Sequence, residues 1–332
     1  MGLVAAIVLL GAYFTSRNGV FLSRENLGNI AEQSTFVGIL AVGMTFVVVS
    51  GQFDLSVGSM FGLTGIVFAE AVHAGWNVWL ATLAGLAAGA GMGLTNGVLS
   101  AFLRVPAIII TLGTLSIYRG TSYWISAGFP VSGFAQSSAL FKFGQRRLIP
   151  WPSGLDWIPD VVFALLGLAL LGHLLLSRTA FGQHVYALGS NRRAAQLAGV
   201  HVNRVQVGAL ALLGLTAGIA GVLGVAQAGS ADPNGGVGYE LDVIAAVIIG
   251  GAALTGGRGT ILASLLGTFL IGEVRNGLVI SGVSVYGQLV ASGTLVVAAV
   301  AVDRLITGRG ERQASPGKEV RAGVRRLMRR LR

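Results

Sequence analysis

Few groups in this chain sit where water is denied them. Within its long apolar runs the bonding or ionisable side chains are Asp54, Glu70, Asn96, Arg119, Gln227, Asp242, Glu273, Arg275, Asn276 and Gln288. An ionisable group in hydrocarbon costs about 2.5 kcal/mol or more unless it faces a cavity or a partner. Asp54, Asp242 and Glu273 could therefore serve as proton relays in an ion-coupled carrier. The alternative is hydrogen bonding between helices, worth about 0.6 kcal/mol per contact. The densest stretch is residues 43–58, GMTFVVVSGQFDLSVG, where an apolar run stops at Ser50-Gly51-Gln52, passes Asp54 and resumes at Leu55. Irregular glycine-rich backbone at membrane depth is tolerated only where protein or water covers it. Two readings stand for Asp54. Its carboxylate can cap the amides of Ser56 and Val57 at the start of the next helix, or it can meet a substrate or gate. Glu70, Arg119 and Arg275, near span ends, read as interfacial anchors or locally paired groups.

Other chemistries lack their residues. A phosphate-binding loop needs G-x-x-x-x-G-K-[ST], and the two lysines, Lys142 and Lys318, stand in FKF and GKE. GGRG at 256–259 reads as a tight turn. His73, His173, His184 and His201 are far apart, and there is no cysteine. The sequence therefore predicts no metal site, no cofactor and no enzymatic activity of the chain's own.

The elements that must position these groups are membrane helices. Apolar residues make up 53% of the 332 and charged residues 11%, against about 25% charged in soluble domains. Spans are expected at 3–14, 35–50, 55–72, 78–103, 107–127, 160–177, 205–228, 241–255, 260–279 and 286–303, near the ~20 residues that cross a bilayer. The first has no A-x-A site after it and reads as a membrane helix rather than a cleaved leader. The reading is an all-α polytopic protein of about ten transmembrane helices. Five and five would make an inverted repeat, with residues 235–259 a loose counterpart of the break at Asp54.

Net charge is +10, yet it points to a membrane surface rather than nucleic acid, because ten of the 23 basic residues lie from Arg304 onward. With both termini cytoplasmic, inner segments hold 16 basic residues and outer ones 5, as the positive-inside rule prefers. Residues 1–305 then form a transmembrane domain and 306–332 a basic cytoplasmic tail. In the tail Val320, Val324, Leu327, Met328 and Leu331 share one helical face, suited to an anionic leaflet. The outer loop, 128–159, holds four of seven prolines with Trp151 and Trp157 and reads as an interfacial loop anchored by aromatics. The inner loop at 178–204 differs. Residues 182–188 are amphipathic; Asn191 can cap a short helix on which Ala194, Ala195, Leu197 and Ala198 pack, and Gly199 can end it. A piece too polar to cross and too patterned to be disordered suits a docking surface.

Several long motifs run in order: GMTFVVVSGQFDLSVGSMFGLTG, Asn96-Gly97, VPAIIITLGTLSIYRG, FGQHVYALGSNRRAAQLAGVHVNRV and GGVGYELDVIAAVIIGGAALTGGRG. Together they resemble the permease subunits of bacterial ABC sugar importers, the ribose, xylose, arabinose, rhamnose and autoinducer-2 group, over roughly residues 10–305. The resemblance implies a fold like that of type II ABC importers in the bacterial inner membrane. It also implies two cytoplasmic ATP-binding subunits, a second identical or related permease, and a soluble sugar-binding protein outside. By the same resemblance, residues 181–204 act as the loop that couples to the ATPase, with Phe181, Gly182, Leu188, Gly189, Asn191, Arg192, Arg193, Gly199 and Arg204 as its residues. The breaks at Asp54 and at Tyr239 to Asp242 would line or gate the path. A sugar needs neutral hydrogen-bonding groups and aromatic faces, so Asn96, Thr111, Thr114, Gln227, Tyr239 and Asn276 join Asp54 and Asp242 as path candidates. Two features depart from the family: its usual N-terminal cytoplasmic extension is missing, and the tail beyond Asp303 is longer and more basic. A self-sufficient ion-coupled carrier and a branched-chain amino-acid ABC permease are the alternative readings.

Overall fold

The computed structural model describes residues 2–145, 149, 152, 155–284, 286–298 and 301. The basic tail and Trp151 lie outside the described residues. Each of the ten expected spans coincides with a helix. They are α1 (Gly2–Arg17), α2 (Arg24–Val49), α3 (Val57–His73), α4 (Val78–Leu103), α5 (Ala107–Ile125), α7 (Val161–Arg178), α10 (Val202–Ala228), α11 (Tyr239–Ile249), α12 (Ile261–Ile280) and α13 (Tyr286–Ala298). Three short helices complete the described elements: α6 (Ala139–Gly144), α8 (Ala180–Ser190) and α9 (Arg192–Leu197). Among the described residues five helices, α2, α4, α7, α10 and α12, are long and apolar enough to cross a bilayer alone. The protein is an all-α polytopic membrane protein.

Burial sorts the helices. α2 and α10 are apolar all round and lie mostly inside the bundle, whereas α4, α5 and α7 show lipid-ready side chains such as Leu83, Ile109 and Leu170. α10 is the axis, packed by α4, α2 and α3. Its seam with α4 rests on absent side chains. Gly85, Gly89, Gly93 and Gly97 recur every fourth residue of α4 and meet Val222, Gly214 with Gly218, Gly214 and Val207 of α10. A Cβ at Gly93 would sit 2.9 Å from the Gly214 Cα. In lipid no hydrophobic force drives helix association, so close backbone approach and van der Waals contact must supply the attraction.

Two helical paths are interrupted. α2 stops at Val49, residues 50–56 cross irregularly, and α3 follows; α10 stops at Ala228, residues 229–238 cross, and α11 follows. The second break lies against the start of α3, with Gly58 against Gly236 and Gly62 against Gly235. The span expected at 241–255 is shorter than its hydropathy suggests. α11 ends at Ile249 after 11 residues, roughly 16 Å of helix or half a bilayer. The chain then turns through Gly251, Gly256 and Gly257 at positive φ, a conformation that glycine adopts without a Cβ clash. The loop at 128–159 is more than an interfacial cover. Val131 bridges to Ala231, and α6 lies against α10 with Phe141 buried between Phe68 and Phe134.

The α4–α10 seam makes a direct prediction. Gly93→Val should destabilise the bundle by about 1–3 kcal/mol or more through overpacking, read as a lowered thermal midpoint in detergent. Gly91→Val, two residues away where no atom approaches within 4 Å, should leave the midpoint nearly unchanged.

Candidate functional site

The first break is closed by a buried polar network. Asp54 is wholly buried. One carboxylate oxygen accepts the Ser56 amide at 2.7 Å and the Ser56 hydroxyl at 2.6 Å; the other accepts the Asn96 amide at 3.0 Å. Asn96 also donates to the Ser56 hydroxyl oxygen at 2.8 Å, and its own carbonyl accepts the Tyr118 hydroxyl at 3.0 Å. The Leu55 amide donates to the Thr111 hydroxyl at 3.1 Å, and Thr114 sits one turn on, bonding back to the Thr111 carbonyl. The capping reading is thus met in part: Asp54 accepts the Ser56 amide, while the Ser56 side chain at the N-cap of α3 caps no amide of that helix. Four of the expected path residues therefore cluster, and they cluster as a lock between the break, α4 and α5. A hydrogen-bonded charge is tolerable at this depth because its partners replace water. Sequence reading missed Tyr118, whose signal is a hydroxyl in the middle of an apolar span.

The second break borders a cavity of about 220 Å³ whose walls include Phe36, Phe61, Gln227, Asp232 and Tyr239. The Tyr239 ring tilts against Phe61 at 5.2 Å, and Phe36 meets Phe61 edge-on at 6.5 Å. Gln227 donates to Glu32 at 2.5 Å. Arg119 does not act as an interfacial anchor. Its guanidinium donates to the carbonyls of Pro233 at 2.6 Å and Gly235 at 2.8 Å, holding the break to α5, and Tyr123 adds a bond to Asn234. These carbonyls belong to no helix, so a fixed donor fork satisfies what the bilayer would leave bare. Of the expected path residues, Gln227 and Tyr239 face this cavity. Asp242 is instead paired with Arg275 at 2.9 Å, fixing α11 to α12. Asn276 exchanges reciprocal amide bonds of 2.8 and 2.9 Å with Asn26, fixing α12 to α2. Phe36, Phe61 and Asp232 went unnamed in the sequence because nothing local marks them as cavity walls.

The inner loop folds as two helices with a packed and an open side. The Asn191 side chain accepts the Ala194 amide at 3.0 Å, and Gly199, at φ +86°, ends α9, as the sequence predicts. Phe181 stacks at 6.2 Å on Phe46 of α2 and lies over Gly208 of α10. Gly182 abuts the backbone of α7, and Leu188 is buried in the core. Gly189 is pressed between Val49, Gly51 and Gly257, at the foot of the first break. Tyr186 donates its hydroxyl to the Gly259 carbonyl at 2.7 Å; burial raises its phenol pKa, which keeps the donor protonated. Arg192 donates to Gln206 and Asn203 at 2.9 and 3.0 Å; Gln206 in turn donates to Ser100, which donates to the Val105 carbonyl. Arg193 and Arg204 are exposed. The packing face expected on α9 is corrected: Ala195 alone is buried, and Leu197 stands 83% exposed between exposed Ala194 and Ala198. A helix of six residues has one inward position to offer, and Ala195 fills it.

Residues 26–300 match the family described as branched-chain amino acid transport system / permease component. The chain is 40% identical to the ribose import permease protein RbsC of Escherichia coli K12, over 91% of this chain and 92% of that protein. Identity is 36% to the RbsC protein of Bacillus subtilis 168, over 86% and 87% of the two chains. It is 32% to the xylose transport system permease protein XylH of Escherichia coli K12, over 91% and 90%. No solved structure matches the chain.

The Asp54 network sets the next expectation. Asp54→Ala strands the Asn96 amide and the Ser56 amide, at about 1–3 kcal/mol for each buried group left unpaired. A thermal midpoint lowered in proportion is expected, with Asp54→Asn much milder because one amide oxygen still accepts. Equal midpoints for Asp54→Ala and the parent would show that the network contributes nothing to stability.

Proposed function

The chain belongs to the branched-chain amino acid transport system / permease component family, and we propose that it is the membrane-spanning subunit of an ATP-driven importer of a pentose-like sugar. The observation that carries this reading is the ribose permease likeness, which spans nine-tenths of both chains. The cavity at the second break supports a sugar. Aromatic rings of Phe36, Phe61 and Tyr239, the Gln227 amide and the Asp232 carboxylate suit a neutral polyol. An amino acid would bring a carboxylate, and no cation stands among the described lining residues to receive it. The chain supplies the path; ATP hydrolysis belongs to two separate cytoplasmic subunits. A second permease copy or a related permease, and a soluble binding protein delivering sugar from outside, complete the complex. In this arrangement the chain lies in the bacterial inner membrane with both termini cytoplasmic. Residues 1–305 form the permease domain, 128–159 face outside, 178–204 form the coupling loop, and 306–332 are a basic tail.

A continuous line of contacts gives the coupling a physical route. The open side of the loop, with Arg193, Leu197, Gly199 and Arg204, meets the ATP-binding subunit. Its packed side, at Phe181, Gly182, Leu188 and Gly189, transmits displacement to α2, α7 and the first break. From there the Asp54–Asn96–Tyr118 network carries it to α4 and α5, and Arg119 of α5 grips the second break beside the sugar cavity. Thr111 and Thr114 lie along this line, whereas Asp242 and Asn276 brace the helices behind it. The same bonds weigh against Asp54 and Asp242 as proton relays, because Asp54 is hydrogen-bonded at both oxygens and Asp242 is paired with Arg275.

Reconstitution of the full complex in proteoliposomes tests the assignment. Labelled ribose or xylose should enter only with ATP, the ATP-binding subunits and the binding protein present. Uptake by the chain alone, driven by a proton or sodium gradient, would overturn it. Within the active complex, Arg193→Glu, Gly199→Val and Leu197→Asp should each leave insertion intact while separating ATP hydrolysis from uptake; normal coupling in all three would remove the loop from its assigned role. Tyr239→Ala should lower uptake with little change in ATP hydrolysis.

A further inference from the structure

A second and larger cavity, about 550 Å³, opens at the end of the bundle that carries α8 and α9. It lies between the α4–α5 turn and the start of α10, and its walls include Arg104, Arg192, Gln52, Gln196 and Gln206. No carboxylate stands among the described lining residues. Two guanidinium groups therefore share one concave site without a counter-charge. Arg192 is held in place by Gln206 and Asn203, which occupies two of its five donors and leaves the others free to bond. The helices add to the field. α5 begins at the cavity behind Pro106 and α10 behind His201, and neither cap residue supplies a side-chain acceptor. Both N-terminal dipoles thus favour negative charge in the same place.

Arg104 carries a further sign. It ends α4 in the left-handed region at φ +57°, where glycine or asparagine would sit with less strain. Arg104 lines the cavity and is itself exposed. The residues alongside the mouth are apolar and exposed: Phe102 at 73% and Leu103 at 60% on α4, with Ile108 and Ile109 on α5. A cationic cup bordered by exposed aliphatic and aromatic side chains matches a molecule with an anionic head and hydrocarbon tails.

We propose that this cavity binds the phosphate of an anionic phospholipid, the headgroup between Arg104 and Arg192 and the acyl chains along Phe102, Leu103, Ile108 and Ile109. A basic pocket between membrane helices on the cytoplasmic side is the expected place for such a headgroup. The bound lipid would tie the α4–α5 turn to α9, so the composition of the inner leaflet would set how firmly the coupling loop is held. The site itself needs only the membrane location and does not depend on which solute is carried.

The test is lipid retention by the purified full chain, read by native mass spectrometry, with dioleoylphosphatidylglycerol against dioleoylphosphatidylcholine. The parent should retain phosphatidylglycerol preferentially, and Arg104→Gln should weaken that preference about fivefold, the effect of one basic group near a membrane surface. Arg104→Gly, which also relieves the backbone strain, should weaken it equally, and Arg104→Lys should restore most of it. Arg258→Gln, exposed at the same end but outside the cavity, should have no effect. Equal retention of the two lipids, or equal loss with Arg258→Gln, would overturn the proposal. Binding of inorganic phosphate with no lipid preference would assign the cup to a soluble anion instead. Loss of the lipid on assembly with the ATP-binding subunits would give the cavity to that partner, which also overturns the proposal.

Discussion

Backbone left outside a helix at membrane depth has no water to turn to, and this chain interrupts two helical paths there. Every amide and carbonyl freed in residues 50–56 and 229–238 must be met by protein. In the first, Asp54 accepts the Ser56 amide and Thr111 the Leu55 amide; in the second, Arg119 meets the carbonyls of Pro233 and Gly235. Both solutions draw on α5, which makes that helix the common support of the two breaks. Asp54, Arg119, Asp242 and Arg275 are thus explained as partners of backbone and of one another.

The second break can lie against α3 only because side chains are missing where they touch. Gly58 and Gly62 lie against Gly236 and Gly235, and Gly189 lies against Gly51 and Gly257. The α4–α10 seam uses the same device over four turns and gives the bundle a fixed axis about which the breaks are arranged.

The two ends of the bundle differ in chemistry. One bears the aromatic cavity with an amide and a carboxylate, suited to a neutral solute; the other bears guanidinium groups and open helix N-termini, suited to an anion. The loop at 178–204 stands at the second end and is bound to it through the relay from Arg192 to Gln206, Ser100 and Val105. The loop is therefore part of the bundle on one side, and on the other it leaves Leu197 exposed.

Local pattern determined the helices. Apolar runs near bilayer length could be nothing else in a chain so poor in charge, and Asn191 and Gly199 bound α9 through their own backbone and side-chain chemistry. The break at 50–56 was legible because a carboxylate and glycines interrupt a hydrophobic run. Its partners were not. Asn96 lies 42 residues from Asp54 and Pro233 lies 114 from Arg119, and no spacing rule joins such pairs. The same limit hid the early end of α11, since hydropathy averages over glycines whose positive φ stops a helix, and it misplaced Leu197, since amphipathic spacing does not say which side of a short helix the bundle covers. Sequence alone fixed which segments lie in the membrane, because transfer from water depends on each segment's own composition. Which polar groups meet, and which face stays open, was settled by glycine-permitted contacts between segments distant in the chain, and those exist only once the helices have packed.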